Sequence, residues 1–475
     1  MQDAFPATVA RMTTMIQIPA WLLILVLLFA AVTALDRVLM PSVRWYLRRR
    51  LERAVEQLNQ RLSYPIRPFK LARRNDTILR LRYDPEVARA IVEYARDKGI
   101  REDVAAQTAE RYAREIVPSF SAFTYFAFAI RAARFLSRSL YRVRVGAANA
   151  AALEHIGQDK TVIFVMNHRS NMDYVLVTWL AADRTALAYA VGEWARVWPL
   201  QPLIRSLGGY FIRRRYNNPL YRKVLARYVQ MATEAGVTQA VFPEGGLTRT
   251  GALREPKLGL LSYIIDGFRP GESRDVVFVP VAINYDRVME DRNLIHAEGG
   301  RGFRFSLKPI FRYLRLLIWQ RLTRQASRFG MAAVSFGEPL SLAGFIADHE
   351  GQAETLGQDL MDRIGSVMPV VPFPVIAHAM ACGIRSQAGL LPAIEDRFER
   401  ALAAGAPVFL PKRDLDYTIE AALKTLRGRR ILQLQGDSFT LTEEGERLIA
   451  FYARSVSPIL GDFPGETPAQ ETITT

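Results

Sequence analysis

His168 and Asp173 are the residues of this chain whose types and spacing best support chemistry. They lie in the run Val165-Met166-Asn167-His168-Arg169-Ser170-Asn171-Met172-Asp173-Tyr174, the aspartate five positions after the histidine. On one continuous helix that interval sets them well apart around the axis, so they meet only where the chain turns between them. Ser170 and Asn171 are turn and N-cap residues, which makes such a turn cheap. Brought together, the pair has the parts of a general base. The imidazole takes a proton near neutral pH, and the carboxylate fixes its tautomer and stabilises the imidazolium, with no serine or cysteine nucleophile required. The same letters admit a structural reading: Ser170-x-x-Asp173 is also a capping-box-like start, with Asp173 satisfying a helix N-terminus and His168 a loop residue.

Stepping outward, the β-branched apolar run Thr161 to Val165 reads as a buried strand, and Met172 to Ala182 as an apolar helix, which leaves His168 at a strand end. Further strands are predicted at 185–191, 209–212, 239–242 and 276–283, with helical stretches between them. That alternation predicts an α/β layer structure whose active site lies at strand ends.

Three later segments follow in order: Gly208-Gly209-Tyr210-Phe211-Ile212-Arg213-Arg214, Val241-Phe242-Pro243-Glu244-Gly245-Gly246-Leu247-Thr248-Arg249-Thr250-Gly251, and Val277-Phe278-Val279-Pro280-Val281. With the His-x4-Asp run they resemble the four sequence blocks of the glycerolipid acyltransferases, and among these the bacterial membrane-bound glycerol-3-phosphate acyltransferases. The likeness continues in Asn218-Pro219-Leu220-Tyr221 and in Asn284 to Glu290. It implies an α/β acyltransferase domain with a mixed sheet, and transfer of a long acyl chain from acyl-coenzyme A or acyl-carrier protein to the first hydroxyl of glycerol 3-phosphate. His168 would be the base and Asp173 its orienter. Arg213, Arg214 and Arg249 match family arginines assigned to acceptor binding. Glu244 would bind acceptor hydroxyls or brace those arginines, and Gly245 and Gly246 would let backbone N–H groups approach phosphate or oxyanion. The thioester is a co-substrate; no metal or bound cofactor is implied. In one departure, Leu247 stands where these relatives usually carry arginine, and Pro243 before Glu244 looks more like the lysophosphatidate acyltransferases. Acylation of lysophosphatidate or another phosphorylated or lipid alcohol is therefore the alternative.

The chain has 475 residues, a net charge of +16 and one cysteine, Cys382, so an internal disulfide is excluded and anionic partners are favoured. His155, His296, His349 and His378 show no metal spacing, and Cys382 four residues after His378 reads as a buried core pair. Residues 12–35 carry no formal charge, and Arg37, Arg44, Arg48, Arg49, Arg50 and Arg53 follow against a single Arg11 before them. This predicts a single transmembrane anchor in the inner (cytoplasmic) membrane with the catalytic part on the cytoplasmic side. A cleaved signal peptide is the alternative, but its n-region would be poor.

The predicted organisation is an N-terminal tail (1–11), the anchor (12–35), a helical region (36–118), the acyltransferase domain (119–345), a helical C-terminal region (346–460) and a disordered tail (461–475). Two basic amphipathic stretches invite membrane contact: Phe120 to Arg142, and Ile310 to Phe329. Both also read as surface helices. In the C-terminal region a hairpin at 431–441, turning at Gly436-Asp437, lies between helices and near Arg427, Arg429 and Arg430. That winged-helix-like arrangement raises a non-enzyme alternative, a membrane-tethered nucleic-acid binder, although without a denser basic face no nucleic acid is expected.

Overall fold

The computed structural model describes residues 19–146, 153–182, 184–192, 195–198, 200–213, 218–296, 329–349, 352–410 and 414–464. Arg214, the basic stretch up to residue 328 and the tail beyond 464 thus lie outside the described residues. Two compact units are present, Met1–Arg61 and Leu62–Thr475.

The first unit is the helix Ala20–Asn59. Its opening turns expose Trp21, Leu23, Leu25, Phe29 and Val32. The predicted end of the anchor at residue 35 is not a helix end, because the helix continues through the arginine-rich stretch. Among the described residues no helix is long and apolar enough to cross a membrane, and the first part of the predicted span lies outside them.

In the second unit, runs rich in Val, Ile, Phe and Ala form one mixed sheet. Its strands are β1 (Arg142–Val145), β2 (Thr161–Met166), β3 (Ala188–Gly192), β4 (Gly209–Ile212), β5 (Gln239–Val241), β6 (Val276–Tyr285), β7 (Met331–Phe336) and β8 (Leu340–Ser341). The order is β1-β7-β6-β2-β5-β3-β4, with β8 also on β6. The pairs from β6 through β4 are parallel; β7 and β8 run antiparallel to β6. β2, β3, β5 and β6 are buried throughout, as expected of parallel strands covered on both faces. Pro280 is tolerated in a central strand because it sits where the partner of β6 changes from β8 to β7, so its missing N–H interrupts little of the ladder.

Alternation along β2 divides the core. Val162, Phe164 and Met166 face the helix Met172–Leu180 and the C-terminal helices. Ile163 and Val165 face the helices Pro85–Lys98, Glu102–Ile116, Pro219–Glu234 and Ala353–Ser366. The helical segments before and after the sheet are therefore its covering layers. The C-terminal hairpin forms as predicted: β9 (Leu432–Gln435) and β10 (Ser438–Leu441) join at Gly436, φ +64°, and Asp437.

Candidate active site

Strand register fixes where the chemistry can occur. Val165 pairs with Val241, Tyr189 with Ala240 and Ala190 with Tyr210. Three residues past those levels, at the carboxyl edge of the parallel strands, come His168, Glu244 and Arg213 in one row. This edge is where ligands bind in open α/β sheets.

His168 and Asp173 meet as predicted. Nδ1 of His168 lies 2.9 Å from Oδ2 of Asp173, and both side chains are buried. The Arg169 and Ser170 backbone N–H groups donate to the same Oδ2, at 2.8 and 3.0 Å. The capping-box reading is thus also partly realised: Asp173 closes the turn before the helix and orients the imidazole at once. The ring lies between Phe242 and Tyr174, with centroids 4.3 and 5.3 Å away. With Nδ1 committed to the carboxylate, Nε2 is the nitrogen left to exchange a proton, and it makes no hydrogen bond among the described residues.

The turn is held from three directions. Asn167 uses its amide as a strand extension, donating to the Ile283 carbonyl at 2.9 Å and accepting from the Ile283 N–H at 2.8 Å. The His168 N–H donates to Glu244 Oε1 at 2.7 Å, and the Thr248 N–H donates to the His168 carbonyl at 3.0 Å. From β6 and the turn after it, the Tyr285 hydroxyl donates to Asp173 Oδ1 at 2.5 Å, and Glu290 accepts from the Ser170 hydroxyl at 2.8 Å and the Asn171 side chain at 3.0 Å.

Glu244 is sealed from solvent. Burial pushes its carboxyl up to about 8, opposed by the His168 N–H and the charges of Arg169 and Arg254. The raised folded value means that stability from this group is full below the unfolded value of about 4.5 and is lost as pH rises toward 8. Glu244→Gln keeps an acceptor for the His168 N–H and removes this dependence. Urea unfolding at pH 5 and pH 8 should show wild type losing stability that the variant keeps, with a ceiling of about 4 kcal/mol over those three pH units.

The arginines separate. Arg213 stands three strands along the edge from His168, about 14 Å at ordinary strand spacing. Its guanidinium is bidentate on Glu115, at 2.8 and 2.7 Å, and Arg196 shares that carboxylate at 2.8 Å. The structure thus brings Arg213 to Glu115 rather than to His168. Arg249 is exposed and has no hydrogen-bond or ion-pair partner among the described residues. Arg169, given only a supporting role in the sequence reading, is fully buried, donates to the Gly251 carbonyl, and is pushed down to about 10 by burial.

Gly245 has φ +67°, so the turn there favours glycine. Its N–H is already donated to the Phe242 carbonyl at 3.0 Å, which corrects the expectation that it receives a substrate oxygen. The N–H of Gly246 has no partner among the described residues. Leu247 packs against the core on the His168 side of the sheet. Cys382 and His378 do lie together, 3.7 Å apart, but Arg397 donates to the same His378 Nδ1 at 3.0 Å, so that nitrogen cannot activate the thiol. Among the described residues no His, Cys, Asp and Glu group forms a metal site. Thr248, Tyr285 and Glu290 carried no site role in the sequence reading; the signal was that Thr248 lies in the third segment of the family likeness and Tyr285 and Glu290 in its extension from Asn284 to Glu290.

Residues 148–284 match the family model described as Acyltransferase. Over those residues this chain is thus similar to the acyltransferase family, on a mixed α/β sheet with helical flanks. Its relatives include bacterial proteins named glycerol-3-phosphate acyltransferase. The one from Shewanella amazonensis is 32% identical over 291 residues, covering 60% of this chain and 34% of that protein. The one from Pseudomonas fluorescens Pf-5 is 27% identical over 427 residues, covering 84% and 49%. This chain thus spans between a third and a half of the length of the curated relatives it matches. A solved structure, the 1-acyl-sn-glycerophosphate (LPA) acyltransferase PlsC from Thermotoga maritima, aligns over 61% of this chain and 96% of that one, at 18% identity and a TM-score of 0.32.

Proposed function

We propose that this protein transfers a fatty acyl chain from acyl-coenzyme A or acyl-carrier protein to the sn-1 hydroxyl of glycerol 3-phosphate, the opening step of phospholipid synthesis. The observation that carries the reading is the buried His168–Asp173 pair at the carboxyl edge of the sheet, its Nε2 without a hydrogen bond among the described residues. Nε2 takes the hydroxyl proton as the substrate oxygen attacks the thioester carbonyl. The imidazolium, stabilised by Asp173, then returns the proton to the departing thiolate as the carbon–sulfur bond breaks. The Gly246 N–H receives the developing oxyanion, and Arg249, exposed and without a partner among the described residues, takes the acceptor phosphate.

Leu247 and Pro243 favour a second reading, with lysophosphatidate as acceptor. Labelled acyl-coenzyme A offered with each acceptor separately decides between them. Product from glycerol 3-phosphate supports the first, and product from lysophosphatidate alone overturns it.

We further propose that the reaction runs at a membrane surface. On the described helix Ile130–Leu140 and the turn before it, Phe128, Arg131, Phe135 and Arg138 recur at i, i+3, i+7 and i+10, all exposed. Such a face pairs apolar insertion with attraction to anionic headgroups. Phe128→Asp/Phe135→Asp should weaken sedimentation with vesicles containing phosphatidylglycerol at least several-fold; unchanged sedimentation would remove this face from the reading.

A further inference from the structure

Asp173 has two oxygens in unequal surroundings. Oδ2 accepts three N–H groups, from the His168 ring and from the Arg169 and Ser170 backbone, whereas Oδ1 has one donor, the Tyr285 hydroxyl at 2.5 Å. Both Asp173 and Tyr285 are wholly buried, so without that hydroxyl half of the carboxylate charge would lie unmatched in the core. Five residues on, Glu290 holds Ser170 and Asn171, the turn that lets histidine and aspartate meet.

This segment is itself fastened from outside. Asp291 is bidentate with Arg429, at 2.8 Å on each oxygen, and accepts the Tyr452 hydroxyl at 2.9 Å. The same hydroxyl accepts the Val288 N–H at 2.9 Å. Arg429 and Tyr452 belong to the C-terminal region. Arg429 therefore turns inward onto a carboxylate and is not part of an outward basic face.

We infer that Tyr285 and Glu290 are positioning residues for the acyl transfer, and that the C-terminal region serves the site by holding them through Arg429, Tyr452 and Asp291. The inference rests on His168 being the base. Tyr285 spreads the Asp173 charge, which limits how tightly the carboxylate holds the imidazolium; Glu290 fixes the turn. The titratable groups facing Asp173 are His168 and Arg169 on its own loop, Glu244 after β5, and Tyr285 and Glu290 at and beyond the end of β6.

The test uses the full chain, with kcat, KM and pH profiles, and with ¹⁵N-histidine NMR to follow the His168 ring without substrate. Tyr285→Phe, nearly isosteric, should lower kcat roughly tenfold, leave the acceptor KM in place, and move both the acidic limb of the rate profile and the His168 titration to higher pH. Glu290→Ala should lose a similar factor in kcat, and Glu290→Gln, which keeps one acceptor oxygen, should recover most of it. Wild-type kcat with an unmoved limb in Tyr285→Phe overturns the inference, and so does equal loss in Glu290→Ala and Glu290→Gln. If Tyr285→Phe fails to fold, the Glu290 pair decides alone. Turnover by His168→Ala would instead bring down the base reading, whatever Tyr285 does.

Discussion

His168→Ala should lower kcat by about 10²–10⁴-fold while leaving the thermal unfolding of the protein close to wild type. The effect on rate follows from the weakness of an alcohol nucleophile, which at neutral pH needs its proton removed as it attacks, and Nε2 is positioned for that transfer. The modest effect on stability follows from what holds the loop. The contacts from residue 168 to Glu244 and to Thr248 are made by its backbone N–H and carbonyl, not by the ring. Asp173 keeps the Arg169 and Ser170 N–H groups and the Tyr285 hydroxyl. The measurement is a matched pair, initial rates with saturating thioester and acceptor beside an unfolding curve. Wild-type-like turnover would remove the mechanism, and a collapsed unfolding curve would show that the ring has a structural duty the hydrogen bonds do not reveal.

Gly251→Ala should be the most damaging single methyl. Gly251 has φ +93°, and a Cβ there would sit 1.8 Å from the Phe451 carbonyl oxygen. Backbone cannot swing aside as a flexible side chain can, so the end of the helix Glu443–Ala453 would have to move. Strain and clash together predict a loss of roughly 4 kcal/mol or more. Gly383 is the control: its φ is +94° and a Cβ there meets nothing within 4 Å, so Gly383→Ala should show conformational strain alone, about 1–2 kcal/mol. Urea unfolding of the two variants separates the terms; equal losses would mean that the helix yields without cost.

These effects depend on features of unequal visibility in the sequence. The meeting of His168 and Asp173 was legible because it needs only a local turn, and Ser170 and Asn171 announce one. Strands β2 to β6 were legible as apolar runs between helices. β1 and β7 were not: Arg142–Val145 alternates charge at a sheet edge, and Met331–Phe336 is half small residues. The fate of Arg213 was hidden for another reason. Its neighbours in sequence match a substrate-binding block, yet its partner Glu115 lies 98 positions earlier. Tyr285 and Glu290 reach across 112 and 120 positions to Asp173 and Ser170, and no local periodicity encodes such a pairing.

The fastening of the catalytic turn by Asp291, Arg429 and Tyr452 has a consequence for synthesis. Chains elongate from the amino terminus at roughly 5–20 residues per second, so a nascent polypeptide has every motif residue outside the ribosome well before Tyr452 is translated. Until then the histidine loop lacks its outer clasp. Competence for chemistry should therefore arrive late and nearly all at once, as the closing helix docks, and a half-made chain carrying all the motif residues should remain idle.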